Sequence, residues 1–335
     1  MLSKNSDITR RKSKVIFLIV CFALIIFALA IIFGRNHSGN DFSTKDWAFH
    51  NEGQIISNTK GKTGVDINLD NTNKIADGHN IVVAVVDTGI DSSCSILKNS
   101  ILCDKSQNPL GYDFYNNKKS TYSEYLYDYH GTYISTTIVR VAPKVKILPV
   151  KFMSGSSGTS KDAIKAIKYA IEHGVKIVNC SWNITKDNKN LCNIIKSNPD
   201  ILFVCSAGNN YLDLDKQPLY PCNYDLDNVI SVMGIDNKGE AFDDSGYGMT
   251  VDIGAPGKQV NVIFPEDDQD LVDGSSVSAA FVSGAAALML SKNPDLSVKE
   301  VIHILKKSSK KLSQLKGKCQ TGGILDIKNA LSYIQ

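Results

Sequence analysis

Four short runs in this 335-residue chain set a side chain able to take part in acyl transfer beside a glycine that can turn the backbone. Asp87 stands in Val86-Asp87-Thr88-Gly89, His130 in Tyr129-His130-Gly131-Thr132, Asn209 in Ser206-Ala207-Gly208-Asn209, and Ser276 in Asp273-Gly274-Ser275-Ser276. A serine hydroxyl attacks a carbonyl efficiently when a base takes its proton, a carboxylate fixes that base, and N–H donors receive the charge that builds on oxygen. Ser276 opens the small-residue run Val277 to Gly284, which reads as a helix. A helix start carries unpaired N–H groups and partial positive charge, which favour an oxyanion next to the serine. Each run also has a plainer reading. Asp-Thr-Gly and Gly-Asn are common turns, a lone histidine before a helix is commonly a cap or surface group, and a glycine/alanine helix packs closely on a sheet. Asp244-Ser245-Gly246, a second run of the Asp-Thr/Ser-Gly kind beside Asp87-Thr88-Gly89, raises the separate possibility of two carboxylates sharing a proton.

These residues are far apart in sequence, so strands and helices must gather them. The apolar, β-branched run Ile81 to Val86 predicts a buried parallel strand that ends at Asp87. Lys146 to Val150, Val175 to Cys180, Ile201 to Cys205 and Val229 to Val232 read as further strands. Helices are predicted over Tyr133 to Arg140, over Lys161 to His173 with Ser160 as N-cap and Gly174 as stop, and over Ser276 to about Ser291. Another is opened by Ser297, with Glu300 placed for a capping box. The alternation predicts an α/β fold: a mostly parallel central sheet with helices on both faces. Such sheets place chemistry at the carboxyl ends of their strands, where Asp87 and Asn209 fall.

Residues 46–335 read as one domain, and an appendage precedes it. Val15 to Phe33 is an unbroken apolar run, near the roughly 20 residues that cross a bilayer as a helix. Lys4, Arg10, Arg11, Lys12 and Lys14 come before it and only Arg35 follows closely. The positive-inside bias therefore predicts a cytoplasmic segment 1–14, a transmembrane signal anchor 15–33, a polar linker 34–45 and an extracytoplasmic domain. The alternative is a cleaved signal peptide. The net charge of +3, from 37 basic and 34 acidic residues, is too slight and dispersed for a nucleic-acid partner. Cys94 and Cys103 close a loop short enough to be bridged, whereas Cys180 and Cys205 lie in strand-like runs and read as buried thiols. The cysteine and histidine spacing carries no zinc pattern.

In order and context the four runs resemble the motifs of the subtilisin-like serine proteases, the subtilases, specifically a small membrane-anchored bacterial type. Secondary matches are Val141-Ala142-Pro143, Val178-Asn179-Cys180-Ser181, Ala255-Pro256-Gly257, and Trp47 with Asn51-Glu52-Gly53-Gln54, so the likeness extends from Trp47 to Leu331. The resemblance implies Ser276 as nucleophile, His130 as base and then acid, Asp87 as its orienting carboxylate, and Asn209 with the Ser276 N–H as oxyanion donors. It also implies a cleft for an extended peptide lined by Ser181, Trp182, Asn183, Ser206, Ala207 and Gly208, with Leu219 at the floor of the primary specificity pocket. An apolar floor disfavours a basic substrate side chain there, with Asp213 and Asp215 close enough in sequence to keep that option open.

The chain departs from the family pattern in places. Tyr133-Ile134-Ser135-Thr136 and Val277-Ser278-Ala279-Ala280-Phe281 replace the usual residues after the histidine and serine motifs, and Asn183 stands where a glycine commonly lines the cleft. Only Val139 and Arg140 separate Ile138 from Val141-Ala142-Pro143, too few for the family's high-affinity calcium loop. No cofactor is expected to be required, and a weak calcium site elsewhere stays open. The short stretch between Phe33 and Trp47 leaves no room for a long propeptide. The expectation is a serine endopeptidase held at the membrane that processes an exported peptide or protein, such as a leader peptide; the alternative is a catalytically silent subtilase domain used for binding.

Overall fold

The structure is a computed structural model, and it describes residues 46–122 and 128–335. The basic N-terminus, apolar run and linker of residues 1–45 lie outside the described residues. Strands β1 (Val82–Asp87), β2 (Tyr112–Asp113), β3 (Lys146–Lys151), β4 (Ile177–Cys180), β5 (Leu202–Ser206), β6 (Val229–Ile235), β7 (Ile253–Pro256), β8 (Lys310–Lys311) and β9 (Gly323–Ile324) form a nine-stranded sheet. Its order is β8-β9-β7-β6-β5-β4-β1-β3-β2. All neighbours run parallel except β8 against β9. The inner strands are buried along almost their whole length, which is why they read as continuous apolar runs and not as alternating ones.

Helices α1 (His130–Val141), α2 (Ser160–Glu172), α3 (Lys189–Lys196), α4 (Ser275–Lys292), α5 (Val298–Ser308) and α6 (Ile327–Ser332) complete the fold. From β1 the chain passes the two-residue edge strand β2 and α1 to reach β3 beside β1, and from β3 it steps back across β1 to β4. With right-handed crossovers, that reversal sends α1 and α2 to opposite faces and opens a crevice at the carboxyl ends of β1 and β4. α2 and α3 each bury one stripe, Ala163, Ala166, Ile167 and Ala170 in the first and Leu191 and Ile195 in the second. By contrast α4 is buried from Ser275 to Ser291 and has no polar face. It lies across β4 to β7 and against α1. Gly284 permits that approach, since a Cβ there would stand 2.6 Å from Val141 Cβ.

Several boundaries move relative to expectation. α1 starts at His130 itself, three residues early, and α4 starts at Ser275. The N-cap of α2 is Thr159, not Ser160: Thr159 is extended and its hydroxyl accepts from Asp162 N, while Ser160 is already helical. The Ser297/Glu300 capping box forms as expected. β2, β7, β8 and β9 went unread because they are two to four residues long and contain Gly, Pro, Asp or Lys. The Cys94–Cys103 bridge that the short loop allows is not formed. Both thiols are free, with Cys94 Sγ donating to Phe264 O at 2.9 Å and Cys103 Sγ to Ile101 O at 3.6 Å. Cys180 and Cys205 are buried register partners on β4 and β5.

Candidate active site

Asp87 closes β1 with its side chain fully buried, and His130 is the first residue of α1. The His130 Nδ1 and Asp87 Oδ1 atoms are 2.7 Å apart, and Thr88 N donates to the same oxygen at 2.7 Å. Two glycines make this approach possible. A Cβ on Gly131 would lie 2.2 Å from Gly89 O, and one on Gly89, whose φ is 92°, would lie 2.4 Å from Thr121 O. Thr88 Oγ1 completes the link by donating to Asp128 O at 2.7 Å and accepting from Gly131 N at 2.9 Å. Burial works against an imidazolium at His130, but the Asp87 charge and hydrogen bond outweigh it and hold His130 above the usual histidine range. Tyr133 packs edge-on against the His130 ring, with centroids 5.0 Å apart. Burial and the Asp87 charge raise its phenol, keeping it neutral.

Ser276 is the second residue of α4, and its N–H is one of the unpaired donors of the first turn. Asn209 follows β5, and its Oδ1 accepts from Ser275 N and from Ser275 Oγ, both at 2.9 Å. That fixes the carboxamide and leaves Nδ2 as donor. A Cβ on Gly274 would sit 3.4 Å from Asn209 Nδ2 and 3.8 Å from Ser276 N. The space beside this glycine is thus bordered by both nitrogens, and a side chain there would intrude on it. The Ser276 hydroxyl donates to Ser181 O at 3.1 Å and not to His130; catalytic hydrogen bonds are often made only once substrate is bound.

A buried polar relay ties α4 to the sheet. Ser283 Oγ donates to Asn179 Oδ1, Asn179 Nδ2 to Ser181 Oγ, and Ser181 Oγ to Ser276 O, each at 2.9 Å. A second cluster lies behind the Asp87 turn. Lys151 Nζ meets Asp128 Oδ2 at 2.7 Å and also donates to Thr88 O and Met153 O, both charged side chains being almost fully buried. Asn179 and Ser275 read only as members of motif runs, with no role of their own, and Lys151 is not singled out by the sequence. A polar residue inside or ending an otherwise apolar strand was the available signal for the first and the last.

The structure brings the predicted cleft residues to the carboxyl ends of β4 and β5. Ser181, Trp182 and Asn183 leave β4, and Ala207 and Gly208 continue past Ser206. Trp182 is buried against Phe152 with centroids 4.9 Å apart. Leu219 packs at the bottom, where a Gly208 Cβ would come within 2.6 Å of its Cδ1. Asp213 and Asp215 do not line the pocket as free charges: Asp213 pairs with Lys216, and the Asp215 carboxylate accepts from Met249 N and Thr250 N. Asp244 is exposed in a turn while the Asp87 carboxylate holds His130 and Thr88, so the two do not form a proton-sharing pair. Among the described residues no group of three or more His, Cys, Asp or Glu side chains converges to hold a metal ion.

Comparison with known proteins gives a family and a fold. A family model described as the subtilase family of peptidases matches residues 78–323. The chain is 33% identical over 230 residues to the major intracellular serine protease of Bacillus subtilis, covering 64% of this chain and 69% of that protein. It is 27% identical over 281 residues to the cell wall-associated protease of the same organism, spanning 80% of this chain but only 30% of the relative. Among solved structures, a cold-adapted subtilisin-like serine proteinase superposes with a TM-score of 0.68 at 21% identity, covering 84% of this chain and 97% of that one. A lanthipeptide protease superposes with a TM-score of 0.67 at 24% identity, covering 78% and 90%.

Proposed function

The chain belongs to the subtilase family of serine peptidases, and from that premise we propose that it is an endopeptidase working through a Ser276 acyl-enzyme on exported peptides or proteins. The observation that carries the reading is the Asp87–His130 hydrogen bond, taken with Asn209 Nδ2 and Ser276 N lying beside Gly274 at the start of α4. His130 takes the Ser276 proton and passes it to the leaving amine, Asp87 holds the imidazole with Nε2 toward the serine, and the two donors receive the oxyanion. The substrate enters as an extended strand beside Ser181 to Asn183 and Ser206 to Gly208.

The finer role is a dedicated processing protease, held at the membrane by residues 15–33 and removing a leader from an exported peptide. A likeness in fold to a lanthipeptide protease is compatible with that role. A silent binding domain is the second reading, resting on the Ser276 hydroxyl being turned to Ser181 O. A fluorophosphonate that labels only activated serines separates the two. Labelling of the full chain that disappears in Ser276→Ala is expected; a folded chain that resists labelling defeats the peptidase reading.

A further inference from the structure

Resting on the peptidase reading, we propose that the enzyme cleaves after small uncharged residues, glycine, alanine or serine, because Asn183 and Leu219 plug the pocket that receives the side chain on the acyl side of the scissile bond. The location of that pocket follows from the reacting groups. A carbonyl carbon at Ser276 Oγ, with its oxygen between Asn209 Nδ2 and Ser276 N, must turn its leaving amine toward His130, the group assigned to protonate it. The acyl-side side chain then points away from His130, into the crevice between Ser181–Asn183 and Ser206–Gly208.

That crevice is closed a short way in. The Asn183 carboxamide reaches from one wall to the other, with Nδ2 donating to Ser206 O at 2.8 Å and Oδ1 facing Ser206 Oγ at 3.4 Å. Behind it Asn183 Nδ2 meets Cys222 Sγ at 3.6 Å, and Cys222 is itself buried. Leu219 occupies the floor. The place a Gly208 Cβ would fill lies 2.6 Å from Leu219 Cδ1 and 3.2 Å from Asn183 Oδ1, so both side chains press close against that wall. The floor segment is stitched to the first wall by paired backbone bonds, Ile184 N to Tyr220 O at 2.7 Å and Tyr220 N to Ile184 O at 2.8 Å, which holds the plug in place. A phenylalanine, leucine or lysine side chain would have to break the Asn183 bridge and displace Leu219. A methyl or hydroxymethyl group need not.

The test uses the full chain and peptidyl diphenyl-phosphonates that differ only in the residue bearing phosphorus, alanine, phenylalanine or lysine, with the labelling rate of Ser276 as readout. The alanine probe is expected to label wild type at least about tenfold faster than the other two, the scale on which a pocket discriminates by size. Asn183→Gly and Leu219→Ala should each raise the phenylalanine rate about tenfold. A phenylalanine or lysine probe that matches the alanine probe on wild type overturns the proposal, and this comparison needs no variant to fold. A preference for alanine that survives both substitutions in folded protein overturns the assignment to these side chains. A fluorophosphonate without any such side chain serves as control, because its failure on folded protein sinks the peptidase reading itself and not merely the pocket.

Discussion

At the scale of single residues the site is defined by which protons are where. Desolvation pushes the His130 imidazolium down and Asp87 lifts it further up, so the base loses its proton above the usual value of about 6.5. Because the neutral form is the one that accepts from Ser276, kcat/KM should rise with pH through a midpoint above that value and flatten beyond it. In Asp87→Asn the lifting charge is gone and the imidazole loses its orienting acceptor; kcat should fall by about 10⁴ and the residual midpoint should shift to lower pH. A pH–rate profile of both proteins decides, and an unshifted midpoint would contradict the role given to Asp87. Asn209 offers a sharper separation. Asn209→Asp keeps an oxygen for Ser275 N and Ser275 Oγ but removes the donor, so KM should hold while kcat drops by about 10²–10³, as when one oxyanion donor is removed.

At the scale of elements, catalysis depends on how closely α1 and α4 approach, since one begins at His130 and the other presents Ser276. Gly284 sets that distance. Gly284→Ala should cost about 1–3 kcal/mol, the usual range for overpacking, and lower kcat by moving the two helix starts apart; thermal melting and single-turnover rates measure the two effects. The Lys151–Asp128 pair joins the end of β3 to the turn after β1 and the approach to α1. Lys151→Met takes the neutralising ammonium away from the buried Asp128 carboxylate and should destabilise the fold by about 3–5 kcal/mol in denaturant titration. Little of this was legible beforehand, for a physical reason. β1 and β5 announce themselves as β-branched runs, and the Asp-Thr-Gly, His-Gly-Thr, Gly-Asn and Gly-Ser-Ser turns sit beside the groups they aim. Gly284 reads only as one more small residue until Val141 is placed against it, and Lys151 reads as the polar end of a strand until Asp128 arrives from another loop. Contacts between distant segments leave no local pattern to find.

At the scale of the whole molecule, the order of elements accounts for why the four motifs meet at all. Parallel strands put Asp87, Ser181 and Asn209 at one edge of the sheet, and the reversal between β1 and β4 opens that edge where α1 and α4 begin. From an asymmetry of five basic residues before the apolar run against Arg35 just after it, we propose that the domain lies on the far side of a membrane from residues 1–14. Expressed in a bacterium, the full chain should stay in the membrane fraction through an alkaline carbonate wash. Protease added to spheroplasts should degrade a tag at Gln335 and spare one at Met1. Charge is the cause invoked, so neutralising Lys4, Arg10, Arg11, Lys12 and Lys14 while adding lysines after Arg35 should reverse which tag is protected. A chain that washes off with its first residues intact is not anchored by this segment, and one whose topology ignores the charge swap is oriented by something other than the positive-inside bias.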